Sequence, residues 1–122
     1  MQRYHIKTGF KPDDILRLKE FTNRLNSLVW NYTGHCLDNL KYRAIDIEAV
    51  LRFIKSAILD YNYIFEYYSN DDKIIKVCYR IKYNNGIDLI LVIGEHKQII
   101  TIYYNSNNDN HLTLKKYIYS RP

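Results

Sequence analysis

The sequence predicts an α+β domain, with N-terminal helices packed on one face of an antiparallel sheet of four or five strands. Two observations predict it. Apolar residues recur every three or four positions as far as about Asp60, and from Tyr61 onward they alternate with a period near two. Turn-forming clusters at Ser69-Asn-Asp-Asp72, Asn84-Asn85-Gly86 and Gly94-Glu-His-Lys97 then cut the second half into strand-length pieces. No internal repeat or linker interrupts the 122 residues, so residues 1–122 are expected to form a single domain, large enough to bury a core without a disulfide scaffold or structural metal.

The first helix is expected from about Pro12 to Val29. Proline suits a first helical position, Asp13 and Asp14 complement the helix dipole, and Leu18, Phe21, Leu25 and Leu28 form one stripe. Asn31-Tyr-Thr-Gly34 breaks the pattern, and a short helix is expected from His35 to Tyr42. Asp46 is a good N-cap for a third helix ending near Asp60, with Ile45 and Val50 as a hydrophobic staple and Leu51, Ile54 and Ile58 continuing the stripe.

Strands follow. Tyr61 to Tyr68 is aromatic and β-branched; Lys73 to Tyr83 alternates Ile75, Val77, Tyr79 and Ile81 with Lys76, Cys78, Arg80 and Lys82, giving one apolar and one basic face. Asn84-Asn85-Gly86 favours a tight hairpin turn, because asparagine and glycine tolerate positive φ. Ile87 to Ile93 is apolar at nearly every position and should be covered on both faces. Gln98 to Tyr104 forms a fourth strand, and a short fifth element is expected from Leu112 to Tyr119.

Eighteen Lys and Arg against 13 Asp and Glu give a net charge of +5 and favour anionic partners, nucleic acid above all. The 13 tyrosines offer faces for unpaired bases, although most are expected to pack on the sheet. No run approaches the roughly 20 apolar residues that span a bilayer, and Met1 to Lys7 lacks the apolar centre of a signal peptide, so a soluble chain is expected. Cys36 and Cys78 lie far apart in apolar stretches and are expected to be buried free thiols. Histidine and cysteine never occur at chelating intervals, which disfavours zinc, and no phosphate-binding glycine loop or nucleophile elbow is present.

Metal-independent cleavage of RNA needs a base for the ribose 2′-hydroxyl, an acid for the leaving 5′-oxygen, and cations or donors for the charge on phosphorus. His35, at an expected helix start, and His111, beyond a polar loop leaving a strand, could supply acid and base if the fold unites them, with rings within roughly 10 Å. Arg43 lies two helical turns after His35. Thr101 is either a β-forming residue or a donor to the scissile phosphate, and Tyr103 should share its face. Lys76, Arg80 and Lys82 form a basic row, read as the wet face of the strand, along which a phosphate backbone could also track. His5 and His96 carry little weight.

The pattern of His35, Leu40, Arg43-Ala-Ile, a helix with Val50, several strands and Ile100-Thr-Ile-Tyr103 resembles a family of small bacterial domains. In that family a helical histidine is followed eight residues on by Arg-Gly-Ile, and the last strand reads Ile-Val-Thr-Val-Tyr. The family looks related to the barnase, EndoU, colicin tRNase and RelE ribonuclease superfamily, whose members cut RNA from a curved antiparallel sheet backed by helices. Asn105 to Tyr117 is similar to the ending of toxin modules of contact-dependent growth inhibition and other polymorphic toxin systems. The resemblance implies an endoribonuclease toxin, with tRNA a candidate substrate, delivered from a neighbouring cell into the bacterial cytoplasm and neutralised by a dedicated immunity protein, expected to be acidic. It carries over His35, Arg43, Thr101 and His111 as catalytic positions. Ala44 and Cys36 depart from the family's Gly and Ala. The alternatives are a non-catalytic RNA-binding module and a RelE-like mRNA interferase of an intracellular toxin–antitoxin pair.

Overall fold

The computed structural model describes residues 2–34, 46–84 and 86–106. They form β1 (Gln2–Ile6), α1 (Pro12–Asn26), β2 (Asn31–Tyr32), α2 (Ile47–Ser56), β3 (Ile64–Asn70), β4 (Lys73–Asn84), β5 (Ile87–Gly94) and β6 (Gln98–Ser106), with 3-10 turns at Lys7–Gly9 and Tyr61–Tyr63. The α+β class and the change of period are as the sequence predicts. The expected helix at His35 to Tyr42, the element at Leu112 to Tyr119, and Asn85 of the hairpin turn lie outside the described residues.

Both helices are shorter than their apolar stripes. After Asn26 the α1 backbone tightens: the Ser27 N–H donates to Arg24 O (3.2 Å), the Leu28 N–H to Leu25 O (3.0 Å), and the Ser27 hydroxyl to Arg24 O (2.7 Å). Such i to i−3 bonds satisfy the last carbonyls and close the helix before Val29. The second helix starts as expected, with the Asp46 carboxylate accepting from the Ala49 N–H at 3.1 Å. It stops at Ser56 rather than near Asp60 because Ala57 is extended and the Asn26 side chain captures the next segment, donating to Leu59 O (2.9 Å) and accepting from the Leu59 N–H (3.1 Å).

The sheet departs from the expectation in count and direction. Among the described residues it has six strands in the order β1-β3-β4-β5-β6-β2. Strands β3 to β6 are the predicted antiparallel meander, and β1 joins β3 antiparallel from Ile6↔Glu66 to Gln2↔Asn70. The other edge is parallel: Asn31 and Tyr32 pair with Gln98 and Ile99, so the sheet is mixed rather than wholly antiparallel. A two-residue strand is too short to show a period, and the pairing of β1 depends on a partner more than sixty residues away.

Helices α1 and α2 share one face of the sheet, as expected. Leu18, Phe21 and Leu25 of α1 and Val50 and Ile54 of α2 pack with inward residues of the strands, among them Tyr67, Val77, Tyr79, Leu89 and Leu91. Ile54 has no solvent exposure, and truncating such a side chain to alanine costs about 2–5 kcal/mol. The buried Tyr79 hydroxyl meets the Thr22 hydroxyl at 2.9 Å, and Tyr67 donates to the Asp14 carboxylate at 2.7 Å, so α1 is fixed to β4 and β3 by polar contacts as well. Among the described residues no helix is long and apolar enough to cross a membrane.

Candidate functional site on the outer face of the sheet

The face turned away from α1 and α2 carries the basic row. Strand alternation puts Lys76, Cys78, Arg80 and Lys82 there, opposite Val77, Tyr79 and Ile81 of the core. Ile75 does not follow the expected alternation. Tyr68 pairs with Lys76 while the next residue, Ser69, pairs with Ile74; this bulge leaves Ile75 unopposed and moves it to the outer face, with Ile74 taking the core position.

Contrary to the sequence expectation, this face is not simply wet. Phe65, Tyr68, Cys78, Ile90 and Val92 are buried together on it, with Ile75 and Ile100 against them. Lys76 and Arg80 are half-buried and Lys82 is exposed. The Lys76 ammonium lies 4.4 Å from the centre of the Tyr68 ring, a cation–π distance. Arg80 donates from Nε to the Asp88 carboxylate (2.6 Å) and from Nη2 to Ser106 O (2.9 Å), so the guanidinium clamps β4 to β5 and β6. Its charge is largely committed to the domain's own carboxylate.

Sequence reasoning missed Glu66. The side chain is 0% exposed, and its Oε1 accepts from the Tyr68 hydroxyl (3.1 Å) and the Cys78 thiol (3.4 Å). Register explains the cluster: Glu66 sits opposite Cys78, and Tyr68 opposite Lys76. Burial pushes the Cys78 thiol well up, and the neighbouring Glu66 carboxylate pushes it further. Cys78 is thus the buried free thiol that was expected. The one available signal was a lone acid inside Ile64-Phe-Glu-Tyr-Tyr68, since a charge in an otherwise buried strand needs partners.

Continuing the same lateral line, Cys78 pairs with Val92 and Val92 with Thr101, so Glu66, Cys78, Val92 and Thr101 run across four strands. Thr101 is half-buried. Two strand spacings separate it from β4, roughly 10 Å. Tyr103 occupies the next line, opposite Ile90, itself opposite Arg80; its side chain is outside the description. The structure therefore brings Thr101 and the basic row onto one face. His35, Arg43 and His111, with the expected approach of the two histidine rings, lie outside the described residues, as does Cys36.

Of the histidines given little weight, His5 stacks on Tyr67 at 4.4 Å between centroids and shares a 3.1 Å hydrogen bond with the Ser69 hydroxyl, while His96 is exposed in the β5–β6 turn. Among the described residues no three His, Cys, Asp or Glu side chains gather as a metal site would require. In comparison with known proteins, the chain matches no family model, no curated protein and no solved structure.

Proposed function

We propose that the domain is a metal-independent endoribonuclease of the toxin type, with RNA tracking the basic row of the outer face from its exposed end at Lys82. The observation that carries this reading is the sharing of that face by Lys76, Arg80, Lys82 and Thr101 in a chain of net charge +5. Cations on one strand hold a phosphate backbone, and a hydroxyl two strands away can donate to a phosphate oxygen. Lys82, exposed at the end of the row, is the first contact for the backbone; Arg80, held by Asp88 and Ser106, keeps the strand ends fixed beneath it. Glu66 stiffens the face from within.

In the proposed reaction the ribose 2′-oxygen attacks phosphorus and loses its proton to a base. The P–O5′ bond breaks, an acid protonates the 5′-oxygen, and the products carry a 2′,3′-cyclic phosphate and a 5′-hydroxyl. His35 and His111 together are the proposed acid–base pair, and Arg43 and Thr101 stabilise the charge on phosphorus. The proposed biological setting is the bacterial cytoplasm of a target cell, with an acidic immunity protein covering the basic row or the region of His111. Its affinity should fall steeply as salt rises.

The test is incubation of the purified domain with tRNA and mRNA, with and without EDTA, and mapping of the new ends. Cleavage to cyclic phosphate and 5′-hydroxyl ends, unaffected by EDTA, is expected. Thr101→Val should lower kcat by about 100-fold or more, the loss that follows removal of one transition-state donor. His111→Ala should abolish cleavage while leaving the thermal melt unchanged. Salt-sensitive RNA binding with no cleavage would instead identify a non-catalytic binding module.

A further inference from the structure

A cavity of about 640 Å3 lies on another part of the molecule, where the end of α1, β2, the end of α2 and the β5–β6 turn meet. Its size is that of a pocket for a small organic ligand. One wall is rigid, because Asn26 clasps both backbone groups of Leu59. Its rim is apolar and open to solvent, with Val29 84% and Ile58 82% exposed. Trp30 and Lys97 also line it, with Lys55 adding a second, exposed cation.

Lys97 is unusual in two ways. Its φ is +60°, the left-handed conformation that glycine or asparagine adopts at much lower cost, in a turn closed by its N–H on Gly94 O (3.0 Å). It is also only 6% exposed. The ammonium donates to Leu28 O at 2.9 Å and stands 4.5 Å from the centre of the Trp30 ring, and among the described residues no carboxylate pairs with it. Burial pushes its pKa down, the expected consequence of a charge taken out of water without a counter-charge. A neutral donor could satisfy one carbonyl. An ammonium has three N–H donors, and beyond the one given to Leu28 O the cavity beside it has room for an anion to accept.

We propose that this cavity binds a small organic anion, with a carboxylate or phosphate-monoester head on the Lys97 ammonium and an apolar body along Trp30, Val29 and Ile58. The proposal is independent of the ribonuclease reading, since it shares no residue with the outer face.

Trp30 is the chain's single tryptophan and reports the cavity directly. Its fluorescence is to be titrated with octanoate and octyl phosphate, and with 1-octanol and octylammonium, which carry the same body on a neutral and a cationic head. Saturable change with one or both anions is expected, at least tenfold tighter than with octanol; the two anions decide which head the site takes. Lys97→Met keeps the stem and should remove the preference for anions, while Lys97→Arg should keep it. Should Lys97→Met fail to fold, Ile58→Glu, at an exposed position, places a carboxylate at the mouth and should weaken anion binding at least tenfold. Equal affinity for octanol and octanoate, unchanged binding in a folded Lys97→Met or in Ile58→Glu, or no saturable change with either anion overturns the proposal.

Discussion

Replacing Thr22 by valine tests whether α1 is held to the sheet by a hydrogen bond or by apolar packing alone. Thr22 is 3% exposed and Tyr79 0%, and their hydroxyls lie 2.9 Å apart. Valine preserves the β-branched shape and the intrinsic helix propensity almost unchanged, so the substitution removes little but the hydroxyl. Tyr79 then keeps a buried O–H without a partner, at a cost of about 1–3 kcal/mol. Tyr79→Phe should cost less, about 1 kcal/mol, because a helical threonine hydroxyl can turn back to the carbonyl four residues earlier. The double variant removes both polar groups, so its cost should fall short of the sum of the singles by about 1–2 kcal/mol. Urea unfolding followed by far-ultraviolet circular dichroism measures all three, and for a domain of this size 1 kcal/mol moves Tm by about 3–6 °C. Strict additivity, or a Thr22→Val protein as stable as the parent, would falsify the assignment of this contact as a stabilising hydrogen bond.

Asp14 bears on acid stability. Burial pushes its pKa up, but hydrogen bonds from the Lys11 N–H, Tyr67 and Arg17 outweigh this and hold it below the ordinary carboxylate value. A depressed pKa in the folded state adds stability that is present above the unfolded pKa near 4 and is lost as pH falls through the lower folded value. Asp14→Asn should therefore lower Tm at pH 7, and the gap to the parent should narrow as pH falls below the ordinary carboxylate range; a gap unchanged across that titration refutes this. Cys78, buried with its thiol pushed up, should resist iodoacetamide in the native protein and react fully in denaturant, as read by mass mapping of its peptide. Asp46→Ala should cost about 1 kcal/mol through loss of the α2 cap, whereas Asp46→Ser should restore most of it in the same urea assay.

Most of the layer arrangement was legible in local pattern. The α1 and α2 stripes, the Asp46 cap, the alternation of Val77, Tyr79 and Ile81, and the doubly covered β5 all follow from residue spacing, which sterics convert directly into faces. What was not legible depends on distant partners. The early end of α2 is set by Asn26 reaching Leu59, and the displacement of Ile75 by a bulge against β3, neither of which leaves a periodic trace. On the candidate face the basic row was legible in the alternation of β4, whereas its sharing of that face with Thr101 depends on strand registers, and half of the face is a second buried layer. Its organising acid, Glu66, appeared in the sequence only as an interruption.

The order of the strands in space differs from their order in the chain, and this governs when the domain can assemble. Strands β3 to β6 are joined by short turns and can zip together as successive hairpins, whereas Gln2 waits for Asn70 and Asn31 for Gln98. During synthesis the segment carrying β1, α1 and β2 emerges first, yet both of its strands can only be seated at opposite margins of a meander that does not yet exist. The apolar stripe of Leu18, Phe21 and Leu25 meanwhile has no sheet to cover. Contacts of such long sequence separation slow folding, so the interval before β6 leaves the ribosome is when the nascent chain is most exposed to proteases and to aggregation.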